Sequence, residues 1–322
     1  MKVLITDYDF PDVDLELALY KAAGIDVVTA QCRTEDDVIA ASEGCQGLLV
    51  QYAPVNAKVF AARPEIRIAS RYGAGFDTID TEDAAKYGVW VANSPDYGVG
   101  EVATHALAMA LDLIRNITAY DRAVKAGEWH YTTAGIIPRA SDMTLGLVGL
   151  GRIGKRMAHI SRNAFKRVIA YDPHIIDGDF PAYVERVGRE DLFRQADVVS
   201  LHTPLNDETR NMIDASLLKL LKPQSYLVNS ARGGLVKIDD LLAALDSGAL
   251  KGAGLDVLPV EPPATASAIV QHPRVLLSPH AAFYSDVAAR ELRRKAAQNL
   301  IDWDRSGRPS YVVVAGKKDN RT

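Results

Sequence analysis

The sequence has 322 residues and a mass of 35.0 kDa, with 37 Lys and Arg against 41 Asp and Glu and therefore a net charge of −4 at pH 7. At about 100–200 residues per domain, this length predicts two domains. A content of 48% hydrophobic and 24% charged residues excludes wholesale disorder. The slightly acidic balance argues against a nucleic-acid groove or a polybasic membrane surface.

The cysteines and the N-terminal residues indicate the compartment. Cys32 and Cys45 are too few for a disulfide framework, and no Cys/His cluster predicts a metal site. No stretch approaches the about 18 consecutive apolar residues of a membrane span. Asp7 and Asp9 stand where a signal peptide needs its apolar run. We therefore expect a reduced, cytoplasmic protein that binds neither nucleic acid nor membrane.

Short apolar runs alternate with helical patterns along the chain. In the N-terminal part, strands are predicted at 3–6, 27–30, 47–50, 66–70 and 89–92, and helices at 12–23, 35–41, 57–62 and 82–87. A long apolar helix is predicted from Gly100 to near Gly127, followed by strands at 145–149, 168–171, 198–201, 226–229, 254–257 and 275–277 and a last helix at 287–303. Strands separated by crossover helices form parallel sheets covered on both faces, so we expect an α/β protein with two doubly wound domains.

Residues 145–154, with the sequence LGLVGLGRIG, contain the pattern GxGxxG between a predicted strand and a predicted helix. Gly149 permits a tight turn, Gly151 lets the backbone approach a pyrophosphate, and Gly154 allows close helix–strand packing. The next strand ends at Asp172, where a carboxylate accepts hydrogen bonds from a ribose diol and repels a 2′-phosphate. The pattern predicts a dinucleotide site that favours NAD over NADP. The alternatives are a glycine-rich turn without a ligand and a strand-end cap at Asp172.

Three charged side chains follow successive predicted strands of the second domain: Arg232, Glu261 and His280. Because the carboxyl ends of parallel strands line the ligand crevice, we expect the three to converge on the nicotinamide end of the cofactor. Reduction of a 2-oxo acid needs a cation for the carboxylate, a proton donor for the carbonyl oxygen, and a carboxylate that orients the donor and keeps it protonated. Taken singly, each residue has a structural alternative: a satisfied histidine, a solvated turn before Gly-Gly, and a Glu-Pro loop start.

The segments GLVGLGRIGKRMA, VVSLHTPLNDETRNMID, LVNSARGGLV, GLDVLPVEPP and SPHAA, in that order, resemble the D-isomer-specific 2-hydroxyacid dehydrogenase family over almost the whole chain. Within the family, AASRYGAGFDTID, NSPDYGVGEVATHALAMAL and HAAFYSDVAARELRRKAA look most like the branch related to C-terminal-binding proteins. The resemblance implies a flavodoxin-like substrate domain and a Rossmann NAD-binding domain with a cleft between them. The final helix would return to the first domain, so the substrate domain would comprise residues 1–99 and 287–322, and the NAD-binding domain residues 100–286.

The resemblance also implies the role of each site residue. Arg232 would hold the substrate, and His280 would donate or accept the proton with Glu261 as its partner. Further cofactor contacts would be the backbone N–H groups of Arg152 and Ile153 at the pyrophosphate, Thr203 and Thr209 near the adenosine and ribose, and Ala231, Asp256 and Ala282 around the nicotinamide, with Asp256 accepting from its carboxamide. Substrate contacts would be the backbone N–H groups of Gly73, Ala74 and Gly75, with Tyr52 and Phe283 setting specificity.

These patterns together predict an NAD-dependent dehydrogenase that interconverts a small D-2-hydroxy acid and its 2-oxo acid. The alternatives are an NAD(H)-sensing scaffold of the corepressor type and a dehydrogenase of the same fold that acts on formate or phosphite. The Arg–Glu–His set argues against a scaffold, which needs the cofactor site but no proton shuttle. Residues 100–143, an apolar helix and an arm with Trp129 and Ile136, are expected to form the interface of a homodimer.

Overall fold

The computed structural model describes residues 1–317, which divide into two compact units. The first unit comprises Met1–Gly98 and the described part of Ser285–Thr322, and the second comprises Val99–Tyr284. The N-terminal part of the first unit contains β1 (Lys2–Ile5), α1 (Asp14–Ala23), β2 (Asp26–Thr29), α2 (Glu35–Ala41), β3 (Gly47–Val50), α3 (Ala57–Ala62), β4 (Ile68–Arg71), α4 (Thr81–Tyr87) and β5 (Trp90–Ala92).

The strands of this part form a parallel sheet in the order β5-β4-β3-β1-β2. The apolar runs of β1 and β3 are buried because helices cover both faces of the sheet. The N-caps of α2, α3 and α4 are Thr34, Asn56 and Asp80, and each of these side chains accepts a hydrogen bond from a backbone N–H of the first turn. The winding changes direction between β1 and β3, which places the loops after these two strands at a crevice of the carboxyl edge.

The second unit contains α5 (Val99–Arg115), α6 (Ile117–Lys125), β6 (Thr144–Val148), α7 (Arg152–Ser161), β7 (Arg167–Tyr171), β8 (Glu185–Arg186), α8 (Arg189–Gln195), β9 (Val198–Leu201), α9 (Ala215–Leu218), β10 (Ser225–Asn229), α10 (Ile238–Asp246), β11 (Leu250–Leu255), α11 (Ala268–Gln271) and β12 (Val275–Leu277). Its strands form a parallel sheet in the order β12-β11-β10-β9-β6-β7-β8. Both units are parallel α/β layers, so the predicted fold class is confirmed.

The predicted apolar helix is confirmed from Val99 to Arg115, but its predicted end near Gly127 is wrong, because the helix is interrupted at Asn116. This residue adopts the left-handed conformation with φ 53°, which asparagine tolerates better than most residues. Its amide donates to the carbonyl oxygen of Ala134 at 2.9 Å, and Asp112 accepts from the N–H of Thr118 at 2.8 Å. The apolar side of α5 is buried within the second unit against α7 and β10.

After the second unit, the chain returns to the first unit as α12 (Asp286–Ser306) and β13 (Val312–Val314). Strand β13 pairs antiparallel with β5 and extends the first sheet at that edge. Helix α12 packs on β3 and β4: the hydroxyl of Ser70 donates to the carbonyl oxygen of Ala296 at 2.8 Å, and the amide of Asn299 donates to that of Asn93 at 2.9 Å. The last helix therefore supplies part of the first unit's core.

The structure also bears on the cysteines, on metal binding and on membrane insertion. Cys32 and Cys45 are buried free thiols, and burial raises the pKa of Cys32 to about 11. Among residues 1–317, no three His, Cys, Asp or Glu side chains are grouped as a metal site. Over the same residues, no helix has both the length and the hydrophobicity that crossing a membrane requires.

A buried ion pair joins α12 to α1. Glu16 is fully buried, and Arg293 donates to both of its carboxylate oxygens, with Nε–Oε1 at 2.8 Å and Nη2–Oε2 at 2.6 Å. The hydroxyl of Tyr72 donates to Oε1 at 3.0 Å. Bidentate pairing with a third donor satisfies a carboxylate that burial would otherwise penalise.

Replacing Arg293 by Met should therefore destabilise the protein by about 3–5 kcal/mol, because the charge of Glu16 would stay buried without its partner. Urea unfolding followed by circular dichroism measures the difference. Arg294→Met is the matched control, since Arg294 is exposed on the same helix. Equal free energies of unfolding for the two variants would contradict this role of the ion pair.

Candidate active site

The glycine-rich turn connects β6 to α7 at the carboxyl edge of the second sheet. Gly149 has φ 95°, and an added Cβ there would lie 2.6 Å from the carbonyl oxygen of His202. At Gly154, an added Cβ would lie 2.3 Å from the carbonyl oxygen of Gly149. At Gly151, by contrast, no atom lies within 4 Å of that position. The two outer glycines are thus required by packing, and the middle one faces open space.

This turn fits the pyrophosphate of a dinucleotide. Gly151 is the N-cap of α7, a helix of 10 residues, so the first N–H groups of that helix lie at the open space. Helix N-termini attract anions through these N–H groups and through the helix dipole. Arg152 and Ile153 occupy the first two helical positions, so their backbone N–H groups would receive the phosphate oxygens.

Asp172 directly follows β7, and its carboxylate binds the glycine-rich turn. Oδ2 accepts from the N–H of Leu150 at 2.8 Å, and Oδ1 accepts from the N–H of His174 at 2.9 Å. Asp172 therefore caps the end of β7, which was the structural alternative to a ribose contact. A carboxylate offers about four acceptor positions, so this one keeps capacity for ribose hydroxyl groups.

The segment after β9 lies behind the turn. Burial lowers the pKa of His202 to about 4, so the imidazole is neutral at pH 7, and its Nε2 lies 2.9 Å from the hydroxyl of Ser200. The backbone N of Thr203 would lie 2.9 Å from a Cβ added to Gly149. The hydroxyl of Thr209 is engaged within its own loop, where it donates to the carbonyl oxygen of Pro204 at 2.7 Å. The roles predicted for Thr203 and Thr209 stay predictions.

Arg232 lies in a tight turn after β10 that the buried Asn229 shapes. The amide of Asn229 donates to the carbonyl oxygen of Arg232 at 2.8 Å, and its Oδ1 accepts from the N–H of Ala231 at 3.0 Å. The guanidinium of Arg232 donates to the carbonyl oxygen of Ala231 at 2.8 Å. At Gly233, an added Cβ would lie 2.0 Å from the carbonyl carbon of Leu258, so glycine is needed for the two loops to touch.

His280 and Glu261 form a close pair. Nδ1 of His280 lies 2.6 Å from Oε2 of Glu261, so the carboxylate accepts the Nδ1 proton. His280 has φ 52°, a conformation that costs free energy for a residue with a Cβ. Its N–H donates to the carbonyl oxygen of Asp256 at 2.8 Å, which helps to hold this conformation. The imidazole is about one-third exposed, at 32%.

The charge of Glu261 is set by opposing effects. Burial by itself would raise the pKa of Glu261, but hydrogen bonds from His280 and from the N–H of Leu258 lower it, as does the charge of Arg232. The net result is a pKa below the usual value of a glutamate. Glu261 is therefore ionised at neutral pH and acts as a hydrogen-bond acceptor only.

Asp256 is buried, and its carboxylate holds the loop that carries His280. Oδ1 accepts from the hydroxyl of Ser278 at 2.5 Å and from the N–H of Ala281 at 2.8 Å, and Oδ2 accepts from the N–H of Ala282 at 3.0 Å. Nε2 of His105 lies 2.8 Å from the Ser278 oxygen. Because Ser278 gives its proton to Asp256, His105 donates to Ser278 from Nε2. The carboxamide contact predicted for Asp256 stays a prediction.

In the first unit, the loop after β4 contains the predicted amide nest. Gly73 has φ 145°, and its N–H donates to the carbonyl oxygen of Arg71 at 3.0 Å. Within residues 1–317, the N–H groups of Ala74 and Gly75 donate to no protein acceptor. An anion can thus be received by Ala74 and Gly75, whereas the N–H of Gly73 is used inside the loop. An added Cβ at Gly73 would lie 1.4 Å from Nη1 of Arg71, so the guanidinium covers this glycine.

The two predicted specificity residues lie in different units. Tyr52 follows β3 in the first unit and is half-exposed. Phe283 lies in the second unit, with its ring edge-on to the imidazole of His280 at a centroid distance of 6.4 Å. Their contacts with a substrate stay predictions.

Several residues that support the site were not predicted from the sequence. Asn229, Ser278 and His105 hold the loops of Arg232 and His280, and Arg71 adds a cation beside the amide nest. A polar residue at the end of an otherwise apolar strand was the available signal for Asn229. Ser278 and His105 carry no such signal, because their contact joins residues 173 positions apart.

Comparison with known proteins identifies the family. A family model described as "D-isomer specific 2-hydroxyacid dehydrogenase, NAD binding domain" matches residues 107–282. The glyoxylate reductase of Korarchaeum cryptofilum is 36% identical over 265 residues, which cover 81% of this chain and 80% of that protein. The glycerate dehydrogenase of Methylorubrum extorquens is 31% identical over 290 residues, which cover 88% and 90%. A solved D-2-hydroxyisocaproate dehydrogenase has a TM-score of 0.82 and 28% identity, covering 97% of this chain and 99% of that one.

The finer resemblance, to the branch related to C-terminal-binding proteins, stays a prediction. The family and the NAD cofactor are confirmed. Since the family model spans more than half of the sequence and the relatives align along most of it, the chain belongs to the D-isomer-specific 2-hydroxyacid dehydrogenase family and is an NAD-dependent oxidoreductase that interconverts 2-hydroxy and 2-oxo acids.

Proposed function

We propose that the chain reduces a small 2-oxo acid to the D-2-hydroxy acid, and catalyses the reverse reaction, with His280 as the proton donor and acceptor. The contact between His280 and Glu261 at 2.6 Å, in a loop next to Arg232, carries this proposal. A scaffold that only senses NAD(H) has no need for such a pair. Oxidation of formate to CO2 transfers a hydride without moving a proton to or from a substrate oxygen, so formate gives this pair no role. We also infer a cytoplasmic location, which the two free cysteines support.

The roles of the side chains follow from their hydrogen bonds. Bound NAD supplies or accepts the hydride. Because Glu261 holds the Nδ1 proton of His280, the proton that is transferred to or from the substrate oxygen resides on Nε2. Arg232 binds the substrate carboxylate, for which the planar guanidinium offers paired donors.

The same proposal assigns the remaining substrate contacts. The N–H groups of Ala74 and Gly75 also bind the substrate carboxylate, since no protein acceptor among residues 1–317 takes them. Gly73 shapes this loop through its positive φ. Tyr52 and Phe283 contact the remainder of the substrate and determine its size.

The cofactor contacts belong to this proposal as well. Gly149, Gly151 and Gly154 shape the phosphate turn, and Asp172 binds the ribose. Thr203 and Thr209 contact the adenosine half. Ala231, Asp256 and Ala282 surround the nicotinamide.

His280→Gln should lower kcat by roughly two to four orders of magnitude, the loss typical of a general acid–base. The affinity for NADH should change little, because His280 lies outside the glycine-rich turn. Steady-state reduction of glyoxylate and hydroxypyruvate, followed by NADH absorbance, measures kcat, and fluorescence titration measures the NADH affinity. Turnover within a few-fold of the unmodified protein would remove His280 from the mechanism.

Glu261→Gln should move the descending limb of the kcat/KM profile for reduction to lower pH. The pKa of Glu261 lies below its usual value, so at neutral pH the carboxylate is charged and favours the protonated imidazole of His280. Without that charge, the proton donor loses its anionic partner, so the reductive rate should fall earlier as pH rises. An unshifted limb, with only a lower plateau, would leave Glu261 a purely structural residue.

Asp172 should make NADH strongly preferred over NADPH, because a 2′-phosphate would face a carboxylate. Asp172→Asn should reduce the preference by on the order of tenfold. Asparagine keeps an oxygen that can accept from the N–H of Leu150, so this variant removes the negative charge and keeps the hydrogen bond to the glycine-rich turn. The kcat/KM ratio for the two cofactors is the measurement, and equal use of both by the unmodified protein would refute the assignment.

We also propose a homodimer formed through residues 100–143. Most of the apolar stripe of α5 is buried in its own unit, but the arm that follows is not. The side chains of Trp129, Tyr131 and Ile136 are 86%, 81% and 89% exposed. Apolar side chains grouped in this way are typical of an interface.

Light scattering should therefore give a mass of about twice 35.0 kDa at micromolar concentration. Introducing Trp129→Glu together with Ile136→Glu should shift the mass to that of the monomer, since two charges would have to be buried. Ile176→Glu is the control, because Ile176 is similarly exposed, at 69%, outside the arm. A monomeric unmodified protein would overturn the proposal.

A further inference from the structure

A network of side chains joins the loops after β1 and β3 in the first unit. The buried carboxylate of Asp7 accepts from the backbone N–H groups of Gln51, Tyr52 and Ala53 at 3.1, 2.6 and 3.2 Å. The N–H of Asp9 donates to Oε1 of Gln51 at 2.9 Å, and the amide of Gln51 donates back to the Asp9 carboxylate. The hydroxyl of Tyr52 donates to Oδ2 of Asp9 at 3.1 Å. The carboxylate of Asp9 is therefore fixed beside Tyr52.

Phe10, the residue after Asp9, anchors this loop to its own unit. The ring of Phe10 packs edge-on against Tyr72, with 5.3 Å between the ring centroids, and the guanidinium carbon of Arg293 lies 5.1 Å from the centroid of the Phe10 ring. Tyr72 and Arg293 are themselves bound to the buried Glu16. The carboxylate of Asp9 is exposed, but the backbone that carries it is anchored, so the position of its negative charge is fixed.

The position of this charge matters because of the sheet topology. The loops after β1 and β3 lie where the winding of the sheet changes direction, which is where open α/β sheets bind ligands. The neighbouring strand β4 ends at Arg71, and the amide nest of Ala74 and Gly75 lies in the loop that follows it. Asp9 and Tyr52 therefore belong to the same edge as the groups proposed to bind the substrate.

Asp9 and Arg71 act on Tyr52 in opposite directions. Burial raises the pKa of Tyr52 to about 12, the charge of Asp9 and its hydrogen bond add to the rise, and the charge of Arg71 opposes it. The geometry agrees, because Arg71 is the register partner of Val50, two residues before Tyr52, and Asp9 binds the Tyr52 hydroxyl directly. A guanidinium alone would attract a second anionic group on the substrate, whereas a carboxylate beside it weakens that attraction.

We propose that Asp9 is a specificity-determining residue, which restricts the site to 2-oxo acids whose second substituent carries no negative charge. The charge is fixed by Gln51 and Tyr52, so it disfavours a phosphate or a second carboxylate as a built-in repulsive element. The inference rests on the proposed function, because it names the class of substrate that the same site takes.

The test compares hydroxypyruvate with 3-phosphohydroxypyruvate, which differ only in the phosphate. For the unmodified protein, kcat/KM with NADH should be higher for hydroxypyruvate. Asp9→Asn should raise the relative kcat/KM for the phosphorylated substrate by on the order of tenfold. Asp26→Asn is the matched control and should leave the ratio unchanged, because Asp26 is an exposed carboxylate at the opposite, amino end of the same sheet.

A second measurement repeats this comparison at different salt concentrations. Asp9 is exposed to solvent, so raising the salt concentration from about 0.01 M to about 0.5 M should shrink the effect of Asp9→Asn on the ratio of the two kcat/KM values. The charge of Arg71 and the binding of the shared 2-oxo acid group are the same in both proteins, so they cancel when the two are compared at one salt concentration. An effect of Asp9→Asn that does not shrink with salt, or an unchanged ratio in Asp9→Asn, would overturn the role of Asp9 while leaving the proposed function intact. Failure to reduce any 2-oxo acid would instead overturn the proposed function, and the inference with it.

Discussion

The buried carboxylate of Asp256 is the contact on which the geometry of the loops that carry Arg232 and His280 depends. Its oxygens bind the hydroxyl of Ser278 and the N–H groups of Ala281 and Ala282, which fixes the chain on both sides of His280. The backbone of Asp256 takes part as well: its carbonyl oxygen accepts from His280, and its N–H donates to Asn229. A single residue thereby links the turn after β10 to the loop after β12. The unfavourable φ of His280 persists because several hydrogen bonds determine it together.

The pairing of Glu261 with His280 has consequences for stability as well as for chemistry. The pKa of Glu261 is lower in the folded protein than the 4.5 of an unperturbed glutamate. The folded state therefore gains stability from this group above its unfolded pKa and loses that stability as the pH falls through the folded pKa. His202 acts in the same direction at higher pH. Burial holds its pKa near 4, so between about pH 6.5 and pH 4 the unfolded chain binds a proton that the folded chain does not.

Much of the fold could be predicted from the sequence. Apolar runs of four or five residues that are bounded by glycines or helix caps are too short for helices and are typical of buried strands. The candidate site could be predicted as well, because the glycine-rich turn is typical of a dinucleotide site and Arg232, Glu261 and His280 follow successive strands. What could not be predicted depends on contacts between distant residues. The break at Asn116 is stabilised by the carbonyl oxygen of Ala134, and β13 is a short edge strand defined only by its pairing with β5. Likewise, the amide nest loses the N–H of Gly73 to a local bond with Arg71, which no composition or spacing reveals.

The discontinuous first unit has a consequence for synthesis on the ribosome. The segment 99–284 is contiguous, so its sheet can form as soon as it leaves the exit tunnel. The first unit has to wait, because Ser70, Asn93 and Glu16 find their partners only on α12, more than 200 positions later. Until then, the apolar surfaces of β3 and β4 beneath α12 stay uncovered. The nascent chain therefore completes its second unit before its first, and the interval is when chaperones have the most exposed surface to bind.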